Sequence, residues 1–347
     1  MADKPFRVCI IGAGICGLLA SAFLPTSQRD GVPDSILADT CIIDPTFFGG
    51  DLMEKWCCVK SNTTVRQIIS ALDKVPRFKH LLIPYLHEYA EGDIIPLKLI
   101  AQAIKELAAP ILAQMKREVA TVQEISIKEG INHITLDSGK ILLAETVILC
   151  TGVQPRVLNY DTPCIPLEIA LDAGRLEKYV KKGQSIMVFG LNHSGTLVVA
   201  NLAKLCSRIY GVYRGPKPFI FARDDEYDGI KQEAAIIADS VLAGGMPSCT
   251  LLSLTESEKD ITRIIRYCDY AIYCVGFKQK GLSIKNEGVS VELSAYNSTT
   301  ARLAEGISIW CYGAGFPNKT DYKGRVYYDV GIPSFIDYML RTFPIVN

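Results

Sequence analysis

At 347 residues, with 49% hydrophobic side chains, the chain exceeds one ordinary domain and can bury a large core, so two domains are expected. Its 37 lysines and arginines balance 37 aspartates and glutamates; with no basic block for nucleic acid or an anionic membrane surface, small molecules are the expected partners. No apolar run approaches the roughly 20 residues that span a bilayer and no signal-like start is present, so a cytoplasmic protein is expected.

The first predicted elements form a strand, turn and helix. "FRVCII" is β-rich, Gly12, Gly14 and Gly17 follow in GxGxxG spacing, and "LLASAFL" continues as a helix until Pro25. In a dinucleotide-binding turn, Gly12 permits the tight bend, Gly14 lets backbone amides approach a pyrophosphate, and Gly17 allows close packing of helix on strand. The helix N-terminus offers the phosphates its partial positive charge. A second strand, "TCIID", ends in Asp44, placed to accept hydrogen bonds from a ribose. Asp44 lies 32 residues beyond Gly12 rather than about 20, and an insertion in "PTSQRDGVPDS" accounts for the excess.

Further along, "NTTVRQIISALDKVPRFKHLLIPYLHEY" reads as a long loop and a candidate lid, its aromatic and basic content suiting a substrate pocket. "LKLIAQAIKELAAPILAQMKREV" reads as a helix kinked or broken at Pro110. Alternating strands follow in "ATVQEISI", "INHITLDSGKILL" and "ETVILCTG", with a turn at Asp137-Ser138-Gly139 and an end at Thr151-Gly152; they predict a small β-meander.

A second nucleotide unit begins at "SIMVFG". Its turn reads Gly190-Leu191-Asn192-His193-Ser194-Gly195, and "TLVVANLAKL" supplies the helix. Asn192 stands in the middle-glycine position, where asparagine tolerates a left-handed backbone but adds a side chain near the pyrophosphate. The next strand, "RIYGVYRG", ends at Arg214, 24 residues beyond Gly190; arginine there favours a 2′-phosphate, hence NADPH over NADH. A hydrolase reading of Ser194 fails because GxSxG needs glycine where Asn192 stands. The four histidines and the cysteines lack compact metal-ligand spacing, so no metal is expected.

Two such turns joined by Thr151-Gly152 resemble the superfamily of flavoproteins with separate FAD and NAD(P) domains. The resemblance implies an α/β fold of two Rossmann-like three-layer domains, an NADPH domain over residues 161–279 inserted into a discontinuous FAD domain over 1–160 and 280–347. "YCDYAIYCVGFKQK" then corresponds to the return hinge, and "GISIWCYGAGFPN" to the strand and turn that bring Gly313 and Gly315 to the flavin. "DVGIPSFIDYML" would be the closing helix.

Disulfide-reducing branches of that superfamily carry a CxxxxC after the double glycine, or a CxxC, and a terminal Gly-Asp. This chain has Asp51 and Leu52 after Gly50, no CxxC, and Ala314-Gly315. "GGDLMEKWCCVKSNTT", "GLNHSG" and "DYAIYCVGF" instead resemble the flavin-dependent monooxygenases of the N- and S-oxygenating type. That resemblance implies oxygenation of a soft nitrogen or sulfur nucleophile through a flavin peroxide, with Asn62 over the flavin as the catalytic side chain. The alternatives are a disulfide or quinone reductase, or a non-catalytic nucleotide-binding scaffold. Cys57 and Cys58 read as two small buried residues pointing to opposite faces of a strand, a vicinal disulfide or redox pair being the rival reading. Cys164 is a candidate flavin-side thiol, and a homodimer is the generic expectation for the assembly.

Overall fold

The computed structural model describes residues 4–26, 35–79, 81, 83–206, 208–215, 217–219, 221–223, 226–227, 230–322 and 325–346. The chain divides into two compact units, one made of residues 1–153 and 279–347, the other of residues 154–278.

The first unit opens with β1 (Phe6–Ile11), α1 (Ile15–Phe23) and β2 (Thr40–Ile43). Most of the insertion expected between α1 and β2 falls at residues 27–34, outside the described residues. The short helix α2 (Asp51–Glu54) follows, then α3 (Val65–Leu72) and α4 (Leu97–Leu112). α4 runs unbroken across Pro110, which falls in its last turn. A proline there removes one backbone bond close to where the helix ends anyway, so the expected break does not occur. Next come β3 (Lys116–Glu118), β4 (Val122–Lys128), β5 (Ile131–Leu136) and β6 (Ile141–Leu149).

The second unit runs through β7 (Ser185–Phe189), α5 (His193–Ala203), β8 (Arg208–Tyr213), α6 (Glu233–Leu242), β9 (Cys249–Ser253), α7 (Glu258–Ile264) and β10 (Tyr270–Tyr273). Its four-stranded sheet is parallel throughout, in the order β9-β8-β7-β10. Numbered within the unit, that is 3-2-1-4, the Rossmann order. Strand alternation sends Met187 and Phe189 into a core with Ile261 of α7, and Phe189 stacks between Tyr160 and Tyr273.

The chain closes the first unit with β11 (Ser283–Asn286), β12 (Val289–Ser290), β13 (Ile309–Cys311), the hairpin β14 (Asn318–Tyr322) and β15 (Arg325–Asp329), and α8 (Ile332–Thr342). β1 pairs in parallel with β2 and β6, and β2 with β3, while β13 pairs with β6. The order β3-β2-β1-β6-β13 repeats the Rossmann pattern. β6 is shared: residues 141–144 pair with β5 of the antiparallel meander, residues 147–149 with β13. Val8 and Ile10 face a helical core with α1, α4 and α8; Cys9 and Ile11 face a second core built from the meander. Helices thus cover one face of the sheet and the meander the other.

The segment expected to form a lid is part of the core. The Thr64 side chain accepts from the Gln67 amide and the Gln67 side chain accepts from Thr64, a capping box that starts α3. Val65, Ile68, Leu72 and Val75 then present one apolar stripe, and Phe78 and Leu86 are buried beside it. Among the described residues, no helix is long and apolar enough to cross a membrane.

Candidate functional site

The first glycine turn is held by close backbone approaches. Gly12 has φ 99°, and a Cβ there would lie 2.4 Å from the Cys150 carbonyl oxygen; at Gly17 it would lie 1.8 Å from the Gly12 carbonyl oxygen. Both glycines are therefore steric requirements of the fold. Gly14 is different. It has an ordinary extended backbone, φ −70° and ψ −177°, and an added Cβ would meet only the Cα of Gly50 at 3.7 Å. The reciprocal contact is tighter, since a Cβ on Gly50 would come within 2.8 Å of the Gly14 Cα. The paired glycines leave open the backbone at the start of α1, where amides without helical partners and the positive end of the dipole meet.

Asp44 ties this turn to the end of β2. One carboxylate oxygen accepts from the Ala13 amide at 2.7 Å, the other from the amides of Thr46 at 2.9 Å and Phe47 at 2.8 Å. The Thr46 hydroxyl also reaches that second oxygen, at 3.3 Å, and fills it, while the oxygen facing Ala13 accepts one bond of about two and keeps capacity for a ribose hydroxyl.

A cavity of about 380 Å³ opens beside the turn, within the first unit. Of the residues singled out by sequence, Gly12, Gly14, Asp44, Gly50, Thr151, Gly152 and Gly313 line it. They arrive from the carboxyl ends of β1, β2, β6 and β13, with Gly50 at the start of α2, and strand ends of this kind are where open α/β sheets bind ligands. Gly17 and Gly315 stand behind the wall, the latter so close to the Gly152 carbonyl that a Cβ would lie 2.8 Å away. Asn62 is exposed and is not among the lining residues. The Thr151 hydroxyl oxygen is buried with no hydrogen-bond partner among the described residues. An orphan hydroxyl on a cavity wall calls for a polar ligand atom.

Other wall residues escaped the sequence reading. Asp51 is gripped by two lysines, Lys55 and Lys280, each at 3.2 Å, and both Asp51 and Lys280 face the cavity. Trp56, Tyr312 and Phe335 supply aromatic surface. Cys16 and Cys150 also line the wall, and burial pushes the Cys16 thiol up to about 12 and Cys150 well above its ordinary range. Both are therefore protonated at neutral pH. Cys16 had a local signal, lying inside the glycine turn itself, whereas Lys280 had none.

In the second unit the other glycine turn repeats this geometry. Gly190 has φ 87° and a Cβ there would lie 2.4 Å from the Cys274 carbonyl oxygen; at Gly195 it would lie 1.8 Å from the Gly190 oxygen. Asn192, equivalent to Gly14, has φ −77° and ψ −166°, an extended backbone open to any residue. The left-handed conformation invoked for asparagine is not used, and the substitution adds an exposed side chain without backbone strain. Ser194 is half-buried in the first turn of α5, and Arg214 is exposed just beyond β8. Burial, reinforced by the charge of Lys231, holds His193 below its ordinary value of 6.5, and its Nδ1 is buried without a hydrogen-bond partner among the described residues.

The remaining thiols depart from expectation. Cys57 and Cys58 lie in a turn after α2, half-buried and exposed respectively, with sulfurs 3.5 Å apart. They are neither strand neighbours on opposite faces nor buried small residues. Cys164 is an exposed residue of the second unit and does not line the cavity of the first. Among the described residues, no three His, Cys, Asp or Glu side chains are grouped to hold a metal ion.

No protein-family model matches the chain. It is similar to Monooxygenase AgnR1 of Paecilomyces divaricatus, at 23% identity over 99% of this chain and 98% of that protein. Among solved structures, bacillithiol disulfide reductase Bdr (YpdA) from Staphylococcus aureus matches with a TM-score of 0.61 and 14% identity, over 97% of this chain and 96% of that one. A flavin-containing monooxygenase from Stenotrophomonas maltophilia matches with a TM-score of 0.60 and 16% identity, over 97% and 96% of the two chains. The chain shares the α/β fold of these solved structures.

Proposed function

We propose that this protein is an FAD-dependent, NADPH-using oxidoreductase that oxygenates a soft nitrogen or sulfur nucleophile of a small molecule. The observation that carries the reading is the cavity at the end of β1 and β6, where a glycine cradle, Asp44 and the unpartnered Thr151 hydroxyl meet. FAD belongs to the unit that contains Gly12, and NADPH to the unit that contains Gly190.

The facing backbones of Gly14 and Gly50 admit the pyrophosphate to the amides that open α1. Asp44 accepts a ribose hydroxyl while its other contacts fix the turn. The Thr151 hydroxyl takes a polar atom of the cofactor, and Gly152 and Gly313 let the backbone approach it. Lys280, paired with Asp51, places positive charge beside negative cofactor groups. Arg214 offers a guanidinium to the 2′-phosphate of NADPH. FAD held by these residues would supply a hydride acceptor for NADPH and an electron donor to oxygen. The apolar and aromatic wall, including Trp56 and Phe335, excludes water from that chemistry.

The rival reading, disulfide reduction, has in its favour Cys16 on the cavity wall. Exchange needs a thiolate, however, and burial holds both wall thiols protonated. A relative matched over nearly the whole of both chains that carries the name monooxygenase weighs on the same side.

The test is anaerobic reduction of the FAD-loaded protein with NADPH, then rapid mixing with oxygen while the flavin spectrum is recorded, followed by a screen of amines and thioethers. Oxygenation is expected to give a spectral delay before oxidised flavin returns and an oxygenated product in that screen. Immediate return, no product, and turnover on a disulfide that Cys16→Ser abolishes would establish the reductase instead.

A further inference from the structure

The turn after α2 places two thiols where a strand could not. The Val59 amide donates to the Trp56 carbonyl at 3.1 Å, so Cys57 and Cys58 are the two corner residues of a hydrogen-bonded turn. Corner side chains of a turn leave the bend together, which explains how consecutive residues bring their sulfurs to 3.5 Å. A disulfide has sulfurs about 2.05 Å apart, so closure asks for about 1.5 Å of approach; adjacent Cα atoms stand about 3.8 Å apart, short of the usual disulfide span, so the eight-membered ring also asks the turn's backbone to adjust.

Access separates this pair from the other thiols near it. Cys58 is exposed and Cys57 half-buried, so a small solute reaches both. Cys9, Cys41, Cys150 and Cys311 are buried in or at the ends of strands, and Cys16 is half-buried, so Cys58 is the exposed thiol among the described cysteines of the first unit. The turn also begins at Trp56, a wall residue of the cavity.

We propose that Cys57 and Cys58 form a modification site, a dithiol that hydrogen peroxide oxidises to a vicinal disulfide. One sulfur, as thiolate, attacks a peroxide oxygen; the O–O bond breaks, and the departing hydroxide takes a proton to leave as water. The second thiol attacks the resulting sulfenic sulfur; the S–S bond forms, the S–O bond breaks, and a second water leaves. Two thiols thus lose two electrons and two hydrogens to one peroxide. The choice of oxidant rests on the flavoprotein reading, because a reduced flavin that meets oxygen without substrate yields hydrogen peroxide. The site itself is tested with added peroxide.

The experiment treats the full-length protein, its FAD content measured on the same sample, with a slight excess of hydrogen peroxide. The expected result is loss of two titratable thiols and of two hydrogens, mapped to the peptide that holds Cys57 and Cys58 and reversed by dithiothreitol. Phenylarsine oxide, which bridges two neighbouring thiols with release of water, blocks the change. In a Trp310→Phe background, where Trp56 is the one remaining tryptophan, its emission is expected to fall at least twofold on oxidation and recover on reduction. A Cys57→Ser/Cys58→Ser variant shows neither effect.

Mapping to other cysteines, a mixture of sulfinic acid and cross-linked dimers, or unchanged Trp56 emission overturns the proposal. Where the double variant does not fold, phenylarsine oxide on the wild-type chain replaces it: protection of the Cys57–Cys58 peptide upholds the pair, and capture elsewhere overturns it. Closure in a protein that takes up no FAD upholds the site and overturns the flavin reading. Bound FAD without closure overturns the site alone.

Discussion

Exchanging the middle residues of the two glycine turns separates a folding role from a binding role. Gly14 caps α1 with φ −70°, and its Cβ position meets nothing nearer than Gly50 Cα at 3.7 Å. Asparagine is as good an N-cap as any residue, so Gly14→Asn should change the stability of the apoprotein by a few tenths of a kcal/mol at most. Its side chain, however, enters the cavity between Gly14 and Gly50. Losing one amide-to-phosphate hydrogen bond, a charge-assisted bond contributing about 1.5–3 kcal/mol, weakens FAD binding about tenfold to hundredfold. The reciprocal Asn192→Gly is expected to tighten NADPH. The assay is a flavin-quenching titration beside a thermal melt of the apoprotein. FAD affinity within about threefold of wild type, or an apoprotein melting more than about 4 °C lower, would refute the argument.

Gly17→Ala should do the opposite, because its Cβ would sit 1.8 Å from the Gly12 carbonyl oxygen: a loss of about 3 kcal/mol in urea unfolding is expected, and a loss below about 1 kcal/mol would contradict the clash. Thr151→Val removes the orphan buried hydroxyl and is expected to stabilise the apoprotein by about 1 kcal/mol while weakening FAD about threefold to tenfold, two signs that melting and titration read separately. His193 is held below its ordinary value of 6.5 in the folded state, so its neutral form contributes stability above that pH, lost as pH falls through the lower folded value. His193→Asn should therefore flatten the acid side of a urea-midpoint profile, and an unchanged profile would remove His193 as its source. Asn62 does not line the cavity, so Asn62→Ala is expected to keep FAD affinity; the monooxygenase resemblance that sets Asn62 over the flavin predicts more NADPH consumed without product, and unchanged coupling would take Asn62 out of the reaction.

The strand, glycine turn and helix at each nucleotide unit are legible because glycine spacing there answers backbone clashes that recur in both turns. The meander is legible from its alternation and its turn at Gly139. Over residues 62–89, the length of an apparent loop suggests a lid and misleads. Val65, Ile68, Leu72 and Val75 carry helical spacing there, and Thr64 with Gln67 spells the cap. At Cys57 and Cys58 no glycine or proline marks the turn, which is made by a backbone bond between their neighbours. The Asp51–Lys280 pair joins residues more than 200 positions apart, and only the folded chain brings them to one wall. Asn192 shows the departure in residue type but not its backbone, since the middle position of this turn is extended in both units.

The divided edge of β6 sets an order of assembly on the ribosome. Residues 147–149 of that strand have their partner in β13, at residues 309–311, and the whole second unit is synthesised between them. Until β13 emerges, an apolar edge of Val147, Ile148 and Leu149 stands open, the kind of edge that recruits foreign strands. The inserted unit, whose parallel sheet is drawn wholly from residues 185–273, can complete itself during that interval. A nascent chain stalled between the two would be expected to engage chaperones through β6, and a release of that engagement should coincide with the emergence of residues 309–311.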